Sequence, residues 1–246
     1  METTKRKISG KKIALIASLL LLLAVVAAML IYLTTYYHAD EEAIEAFTAL
    51  GISELEDEDG NLVFTPTLPT EVGFIFYPGG KVEHTAYVPL MRALAEDGIF
   101  SVLVEMPFNL AIFDTGAAKD VMDAYPQIEK WYIGGHSLGG AMAASFAAGE
   151  DGADILGVAL LAAYSTEPLE CEVLSVYGSE DGVLNMEKYE EYRKNLGEGA
   201  TEQIIDGGSH SYFGMYGEQS GDGVAKITPE EQIRLTARLI RELIYK

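Results

Sequence analysis

One serine of this chain lies in a setting that suits a nucleophile. Ser137 is the central residue of Gly135-His136-Ser137-Leu138-Gly139, which matches the pattern G-x-S-x-G. The pattern alone carries little weight, because a chain with 25 glycines matches it by chance about one time in ten. A predicted strand before it and an alanine-rich predicted helix after it supply the sharp turn that exposes a serine hydroxyl at a sheet edge. The alternative is a glycine-rich loop with an incidental serine.

A serine nucleophile needs a base, and the base needs an acid to orient it. His210 follows a predicted strand at Thr201–Ile205, and Asp181 follows one at Val173–Tyr177. Both therefore lie at the carboxyl ends of strands, where the sites of open α/β sheets are found. Glu180 is the rival acid, and we favour Asp181 because Gly182 indicates that the loop turns directly after it. The alternatives are a turn-forming aspartate and an ordinary surface histidine.

The remaining histidines and the single cysteine predict no metal site. His136 is expected to point away from Ser137, His84 lies in a different loop, and His38 borders the apolar N-terminal segment. Their spacing matches no zinc pattern. Cys171 is the only cysteine of the chain, which excludes an intramolecular disulfide and a cysteine-based zinc site. No glycine-rich phosphate-binding pattern occurs either, so we expect no cofactor.

A second glycine-rich turn could stabilise negative charge on a carbonyl oxygen. The first buried strand ends in Tyr77-Pro78-Gly79-Gly80-Lys81. Backbone N–H groups of Gly79, Gly80 or Lys81 could donate to an oxyanion, together with the N–H of Leu138 at the start of the helix after Ser137. The alternative is a plain Pro-Gly-Gly turn.

Predicted strands and helices alternate along the chain. This alternation predicts an α/β fold with a mostly parallel sheet and helices on both faces. The first strand is expected at Asn61–Pro66, after a helix at Ala39–Leu50 and an acidic turn at Glu54–Gly60. Further strands are expected at Gly73–Tyr77, Ser101–Glu105, Trp131–Gly134, Val158–Ala162, Val173–Tyr177 and Thr201–Ile205. Further helices are expected at Ala86–Glu96, Ala117–Ala124, Leu138–Gly149, Met186–Leu196 and Pro229–Tyr245.

Charge and hydropathy divide the chain into two domains. Residues 1–12 carry five Lys or Arg residues and one Glu, a net +4, so the remaining residues carry −25 of the formal net charge of −21. Such an acidic domain excludes nucleic acid as a partner.

Ile13–Leu33 is a run of 21 largely apolar residues, long enough to span a bilayer. We expect residues 1–37 to be a basic cytoplasmic tail and a transmembrane anchor, and residues 38–246 to be an extracytoplasmic α/β domain. The alternative is a cleaved signal peptide.

Taken together, these motifs resemble the α/β-hydrolase superfamily, and more narrowly small membrane-anchored bacterial serine hydrolases similar to carboxylesterases and lipases. The resemblance rests on the Tyr-Pro-Gly-Gly-Lys-Val, Gly-Gly-His-Ser-Leu-Gly-Gly and Tyr-Gly-Ser-Glu-Asp-Gly segments at residues 77–82, 134–140 and 177–182. It implies hydrolysis of a small or medium carboxylic ester through an acyl-enzyme on Ser137. An acyltransferase with the same triad, or a binding module without catalysis, remains open.

Two departures from that family bear on the substrate. Many relatives insert a cap domain where this chain has only residues 163–172, so we expect a capless and open site. Residues 213–223, which follow His210, are glycine-rich and carry Phe213 and Tyr216. We expect them to form part of the substrate wall, and the alternative is an ordinary surface loop.

Overall fold

The computed structural model describes residues 10–47 and 51–246, and it divides into two compact units on either side of the Tyr36–Tyr37 bond. The first unit contains one helix, α1 (Gly10–Thr34), which is apolar along nearly its whole length. Its length and composition suit a membrane span and a signal sequence equally well. The basic residues at positions 5–7 lie outside the described residues, and the division into a 1–37 anchor and a 38–246 domain stays a prediction.

The second unit is built on one sheet of eight strands within the described residues. The strand order is β1-β2-β4-β3-β5-β6-β7-β8. β1 and β2 run antiparallel to their neighbours, and all other pairs are parallel. The bounds are β1 Ile52–Glu56, β2 Leu62–Pro66, β3 Val72–Tyr77, β4 Phe100–Leu103, β5 Lys130–His136, β6 Ile155–Leu161, β7 Glu172–Gly178 and β8 Thr201–Ile205. The predicted mostly parallel sheet is confirmed.

Helices cover both faces of the sheet. After α1, their bounds are α2 Glu41–Ala46, α3 Val88–Glu96, α4 Ala117–Ala124, α5 Leu138–Ala148, α6 Met186–Tyr192 and α7 Pro229–Ile244. Successive residues of β3 point to opposite faces of the sheet, because Ile75 is buried in one hydrophobic cluster and Phe76 in the other. The cluster of Phe76 contains residues of α3 and α7, and that of Ile75 contains residues of α4 and α5. β3 is accordingly apolar almost throughout, as a parallel strand buried on both faces must be.

Three elements differ from the predictions, two of them at the start of this unit. The expected acidic turn at residues 54–60 is partly strand, because β1 pairs with β2 at the sheet edge. Most of its side chains are exposed, so it lacks the apolar alternation that reveals a strand. The predicted helix at 39–50 ends as α2 at Ala46, and residues 48–50 lie outside the described residues. The expected helix at 186–196 ends as α6 at Tyr192 and continues as a 3-10 turn.

Candidate active site

Ser137 occupies a strained turn between β5 and α5. Its backbone angles are φ 53° and ψ −120°, a combination that a residue with a side chain rarely adopts. The glycines on either side make the turn sterically possible. A Cβ atom on Gly135 would lie 2.5 Å from the carbonyl carbon of Gly139, and one on Gly139 would lie 2.2 Å from the oxygens of Tyr77 and Pro78. The predicted strand, sharp turn and helix are therefore present around this serine.

The carboxyl ends of β7 and β8 bring Asp181 and His210 together. Nδ1 of His210 lies 2.9 Å from Oδ2 of Asp181, and each side chain is only 1% exposed. Oδ1 of Asp181 accepts the backbone N–H groups of Val183 and Leu184 at 2.9 and 2.8 Å. These bonds fix the carboxylate, which in turn favours the tautomer of His210 with its proton on Nδ1 and a lone pair on Nε2.

The rival acid, Glu180, takes part in a different contact. Its carboxylate binds Nζ of Lys226 at 2.6 Å and the hydroxyl of Ser179 at 3.0 Å. The hydrogen bond from Lys226 lowers the pKa of Glu180. Of the two adjacent carboxylates, the structure brings Asp181 and not Glu180 to the histidine.

The serine and the histidine are not hydrogen-bonded to each other in this structure. Nε2 of His210 is buried and has no hydrogen-bond partner among the described residues. The two residues belong to neighbouring parts of the site, because the ring of His136, which precedes Ser137, lies 4.5 Å from the ring of His210 between centroids. Hydrogen bonds of this type are often long without a substrate and tighten when one binds.

A further carboxylate, Asp222, holds the two loops of the Asp181–His210 pair together. Its Oδ1 accepts the N–H groups of Gly182 at 3.1 Å and of His210 at 3.2 Å, and its Oδ2 accepts the N–H of Ser211 at 2.8 Å. Burial alone would raise the pKa of Asp222, but these backbone donors outweigh it and lower the pKa. Sequence reasoning missed this residue. The only sequence signal for Asp222 is its position between two glycines, Gly221 and Gly223. Gly223 lets this loop lie close to the loop of Asp181, because a Cβ atom on Gly223 would lie 2.0 Å from the backbone oxygen of Glu180.

His136 is buried in a polar and aromatic cluster beneath the site. Its Nδ1 lies 2.8 Å from the hydroxyl of Tyr87, and that hydroxyl accepts the N–H of Gly79 at 3.1 Å. Burial and the neighbouring His210 hold the pKa of His136 well below its ordinary value. This side chain is therefore neutral, and it packs against the histidine of the Asp181–His210 pair.

Hydrogen bonds distinguish the three candidate N–H donors of the Pro-Gly-Gly turn. The N–H of Gly79 is occupied by Tyr87, and that of Lys81 donates to the oxygen of Asn109 at 2.7 Å. The N–H of Gly80 makes no hydrogen bond to any described residue. Leu138 is the first residue of α5, so its N–H has no acceptor within that helix. Gly80 and Leu138 therefore present the N–H groups that a ligand oxygen can use.

The aromatic residues after His210 lie in the protein interior. Phe213 is fully buried and Tyr216 is 6% exposed, and both rings pack near His136. The N–H of Met215 donates to the oxygen of Ala86 at 2.8 Å, which ties the segment to the core. Both side chains therefore belong to the core around His136, and their expected place in a substrate wall stays a prediction.

Within the described residues, neither a metal site nor the cleft at the opposite edge of the sheet offers an alternative to this arrangement. Among residues 10–47 and 51–246, no group of three His, Cys, Asp or Glu side chains could hold a metal ion. A cleft of about 1130 Å³ lies along β2 and the amino ends of β3, β4 and β5, at the edge opposite Ser137. It contains no histidine, and its lining combines apolar side chains such as Val63 and Phe100 with charged ones such as Asp57, Glu71 and Lys130. We therefore place the candidate active site at the carboxyl edge.

Comparisons with known proteins agree with this fold. A family model described as "Alpha/beta hydrolase family" matches residues 73–234. Similar solved structures include an esterase from Mycobacterium tuberculosis, with 11% identity, a TM-score of 0.59, and coverage of 84% of this chain and 96% of that chain. A thermophilic esterase from Thermogutta terrifontis with butyrate bound has 13% identity, a TM-score of 0.55, and coverage of 79% and 94%. A predicted hydrolase from Thermoplasma acidophilum has 17% identity, a TM-score of 0.51, and coverage of 78% and 98%. No curated protein matches the chain.

Proposed function

The chain belongs to the alpha/beta hydrolase family, and from that premise we propose that it is a serine esterase with Ser137 as its nucleophile. The observation that carries the proposal is the buried Asp181–His210 pair, whose Nε2 atom is left without a partner. A histidine held in this way is ready to accept a proton from a hydroxyl. Two of the similar structures described above are esterases, which supports carboxylic esters as the substrate class.

The reaction proceeds through an acyl-enzyme. The hydroxyl of Ser137 attacks the ester carbonyl carbon while its proton passes to Nε2 of His210. Asp181 stabilises the resulting imidazolium, and the tetrahedral intermediate collapses as His210 protonates the departing alcohol. A water molecule then attacks the acyl-enzyme, again with His210 as base, and releases the carboxylic acid together with free Ser137. The cycle requires no metal or cofactor.

The developing negative charge on the carbonyl oxygen is stabilised by the N–H groups of Gly80 and Leu138. Both are unoccupied by described acceptors, and the second also lies at the positive end of the α5 dipole. A donor of this type is typically worth about 3–4 kcal/mol in the transition state. Gly79 has a supporting role in this scheme, because its N–H holds Tyr87.

We propose further that α1 anchors the chain in a membrane with the hydrolase unit outside the cytoplasm. The charge pattern supports this orientation, since basic residues precede the apolar segment and acidic ones follow it. Alkaline extraction of membranes followed by intact-mass analysis tests it. A full-length chain retained in the membrane is expected, whereas a released chain that begins after α1 would indicate a cleaved signal sequence.

Ester turnover tests the function. Full-length protein in lipid nanodiscs is assayed with p-nitrophenyl butyrate, beside Ser137→Ala and the matched control Ser145→Ala, which removes a hydroxyl further along the same helix. We expect the wild type and Ser145→Ala to hydrolyse the ester and Ser137→Ala to lose at least about 10³-fold in kcat/KM. Equal activity of the wild type and Ser137→Ala would overturn the proposal.

A further inference from the structure

Three large apolar side chains are clustered on the surface after β4. Phe108, Ile112 and Phe113 are 56%, 58% and 56% exposed, and the two phenyl rings meet edge to face at 5.9 Å. Single exposed apolar residues are common, but clustered ones usually mark a binding surface. We call residues 107–113, Pro-Phe-Asn-Leu-Ala-Ile-Phe, the apolar segment.

The backbone of the apolar segment is held in an unusual conformation. Phe108 has φ 56° and ψ 24°, and Asn109 has φ 55°. Left-handed angles are tolerated by asparagine but are an outlier for a bulky aromatic residue. The oxygen of Asn109 accepts the N–H of Lys81 at 2.7 Å, which fixes the segment to the glycine turn. Strain of this kind persists where it is structurally enforced, and it clusters at functional sites.

The apolar segment borders the two N–H groups assigned to the oxyanion. A Cβ atom on Gly80 would lie 2.9 Å from Cδ2 of Leu138 and 3.7 Å from Cδ2 of Leu110, so these two side chains flank the glycine. The hydroxyl of Thr115, just after the segment, contacts Sδ of Met142 in α5 at 3.5 Å. The segment that carries the exposed apolar side chains thus adjoins, through Leu110 and the backbone of Asn109, the place where an ester carbonyl would be held.

We propose that the apolar segment binds an alkyl or aryl chain of the ester substrate, so that the preferred substrates are esters with chains of several carbons and not acetyl esters. The proposal rests on the proposed function, since it places the carbonyl oxygen at Gly80 and Leu138. One substituent of a carbonyl in that position runs over the segment. The segment carries no charge, although the whole chain has a net charge of −21, which suits an uncharged chain and not an ionic one.

The test compares chain-length preference in a variant that removes the exposed aromatic surface. Phe108→Asn keeps a residue that tolerates left-handed angles, and Phe113→Gln replaces an exposed ring, so this double variant retains its fold. The matched control is Leu55→Gln with Leu68→Gln, two side chains that are 67% and 74% exposed and line the cleft at the opposite edge. Full-length proteins in nanodiscs are assayed with p-nitrophenyl acetate and hexanoate.

We expect the wild type and the control to prefer hexanoate by about tenfold or more in kcat/KM, because each buried methylene contributes about fourfold. The aromatic double variant is expected to lose this preference to within about twofold, because its kcat/KM falls further with hexanoate than with acetate. An unchanged preference for hexanoate in that variant, with turnover that still depends on Ser137, would overturn this proposal and leave the proposed function intact.

A binding measurement separates the two proposals if no ester is turned over. Saturation-transfer NMR, in nanodiscs of perdeuterated lipid, reports contact between the protein and hexanoate or acetate ions without any reaction. Stronger transfer to hexanoate in the wild type than in the double variant would support the apolar surface even though the esterase proposal had failed. Equal transfer in both proteins would overturn the apolar surface as well.

Discussion

The two edges of the sheet differ in their backbone and in their clefts. Strained backbone lies at the carboxyl edge, and a large cleft lies at the amino edge. Five non-glycine residues among those described have a positive φ, and all of them follow the carboxyl ends of parallel strands: Lys81, Phe108, Asn109, Ser137 and Ala162. The amino ends of β3, β4 and β5 border a cleft of about 1130 Å³ with none of these residues in its lining. The strained edge also carries the buried Asp181–His210 pair.

This difference teaches that strained backbone identifies the candidate site better than cleft volume does. A residue in a sparsely populated backbone region costs about 1–3 kcal/mol, and it persists only where surrounding contacts impose it. At Ser137 the contacts are the close approaches of Gly135 and Gly139. Empty volume at the other edge needs no such support, since it can arise wherever an edge strand and a loop diverge.

The largest effect expected at the carboxyl edge, beyond that of the serine itself, concerns the acid. Asp181→Asn keeps the shape of the side chain but lets an amide N–H face Nδ1 of His210, which favours the wrong tautomer. We expect kcat for a butyrate ester to fall by about 10³- to 10⁴-fold. The adjacent Glu180→Gln is the matched control and should stay within about twofold, because Glu180 binds Lys226. Similar losses in both variants would argue against the assignment of Asp181.

Asp222 should give the next largest effect, as a positioning residue. Asp222→Ala removes the acceptor that Gly182, His210 and Ser211 share, so His210 is held less firmly. We expect kcat to fall by about 10- to 100-fold with little change in KM, since the residue touches no substrate. Asp206→Ala, an exposed carboxylate in the same loop as His210, is the control. A loss confined to KM would contradict the positioning role.

The buried cluster beneath the site should show its effect in stability. Tyr87→Phe leaves the N–H of Gly79 and Nδ1 of His136 without a partner. Each buried polar group left in this way costs about 1–3 kcal/mol, so for the two groups we expect the free energy of unfolding to drop by about 2–6 kcal/mol in chemical denaturation. Tyr125→Phe, whose hydroxyl has no described partner, should change it by less than about 0.5 kcal/mol. A comparable drop in both variants would show that the hydrogen bonds of the Tyr87 hydroxyl do not stabilise the fold.

Acid should destabilise the fold through His136. Its pKa is lowered by burial and by His210, so the unfolded chain binds a proton that the folded chain does not. The stability is therefore complete above the ordinary histidine pKa of about 6.5 and decreases as the pH falls below it, by at most about 1.4 kcal/mol per pH unit for one group. Denaturation at pH 7, 6 and 5 measures the slope. His136→Asn removes this titrating group, so it should reduce the slope of stability against pH by up to about 1.4 kcal/mol per pH unit. An unchanged slope would contradict the explanation.

The smallest effect is expected at the opposite edge. Leu68→Gln changes a 74% exposed side chain in the wall of the amino-edge cleft. We expect kcat/KM for the butyrate ester to remain within about 1.5-fold of the wild type, because surface changes far from a site rarely matter. A tenfold loss would mean that the cleft takes part in substrate binding, and the contrast between the two edges would fail.

The sequence predicts those parts of the fold and the site that depend on local patterns. The apolar runs of β3, β5, β6 and β7 and the spacing of the serine, aspartate and histidine loops are all visible in the residues themselves. β1 is not, because an exposed edge strand such as Ile52–Glu56 lacks the apolar alternation that marks a strand. The family prediction is confirmed by the match of residues 73–234.

Contacts between distant residues account for what the sequence does not predict. Asp222 lies 40 residues from Gly182 along the chain, yet accepts its N–H. The choice between Gly79 and Gly80 depends on the hydroxyl of Tyr87, which only the folded core brings to the turn. Phe213 and Tyr216 are aromatic residues in a glycine-rich stretch, and their burial follows from packing against His136.

Labelling with a fluorophosphonate probe tests most directly whether the carboxyl edge activates Ser137. Full-length wild type, Ser137→Ala and Asp181→Asn are treated with the probe and analysed by intact mass and peptide mapping. We predict one adduct on the wild type, located on Ser137, no adduct on Ser137→Ala, and labelling of Asp181→Asn that is slower by at least about 100-fold. A folded wild type that forms no adduct, or an adduct that persists in Ser137→Ala, would contradict the account.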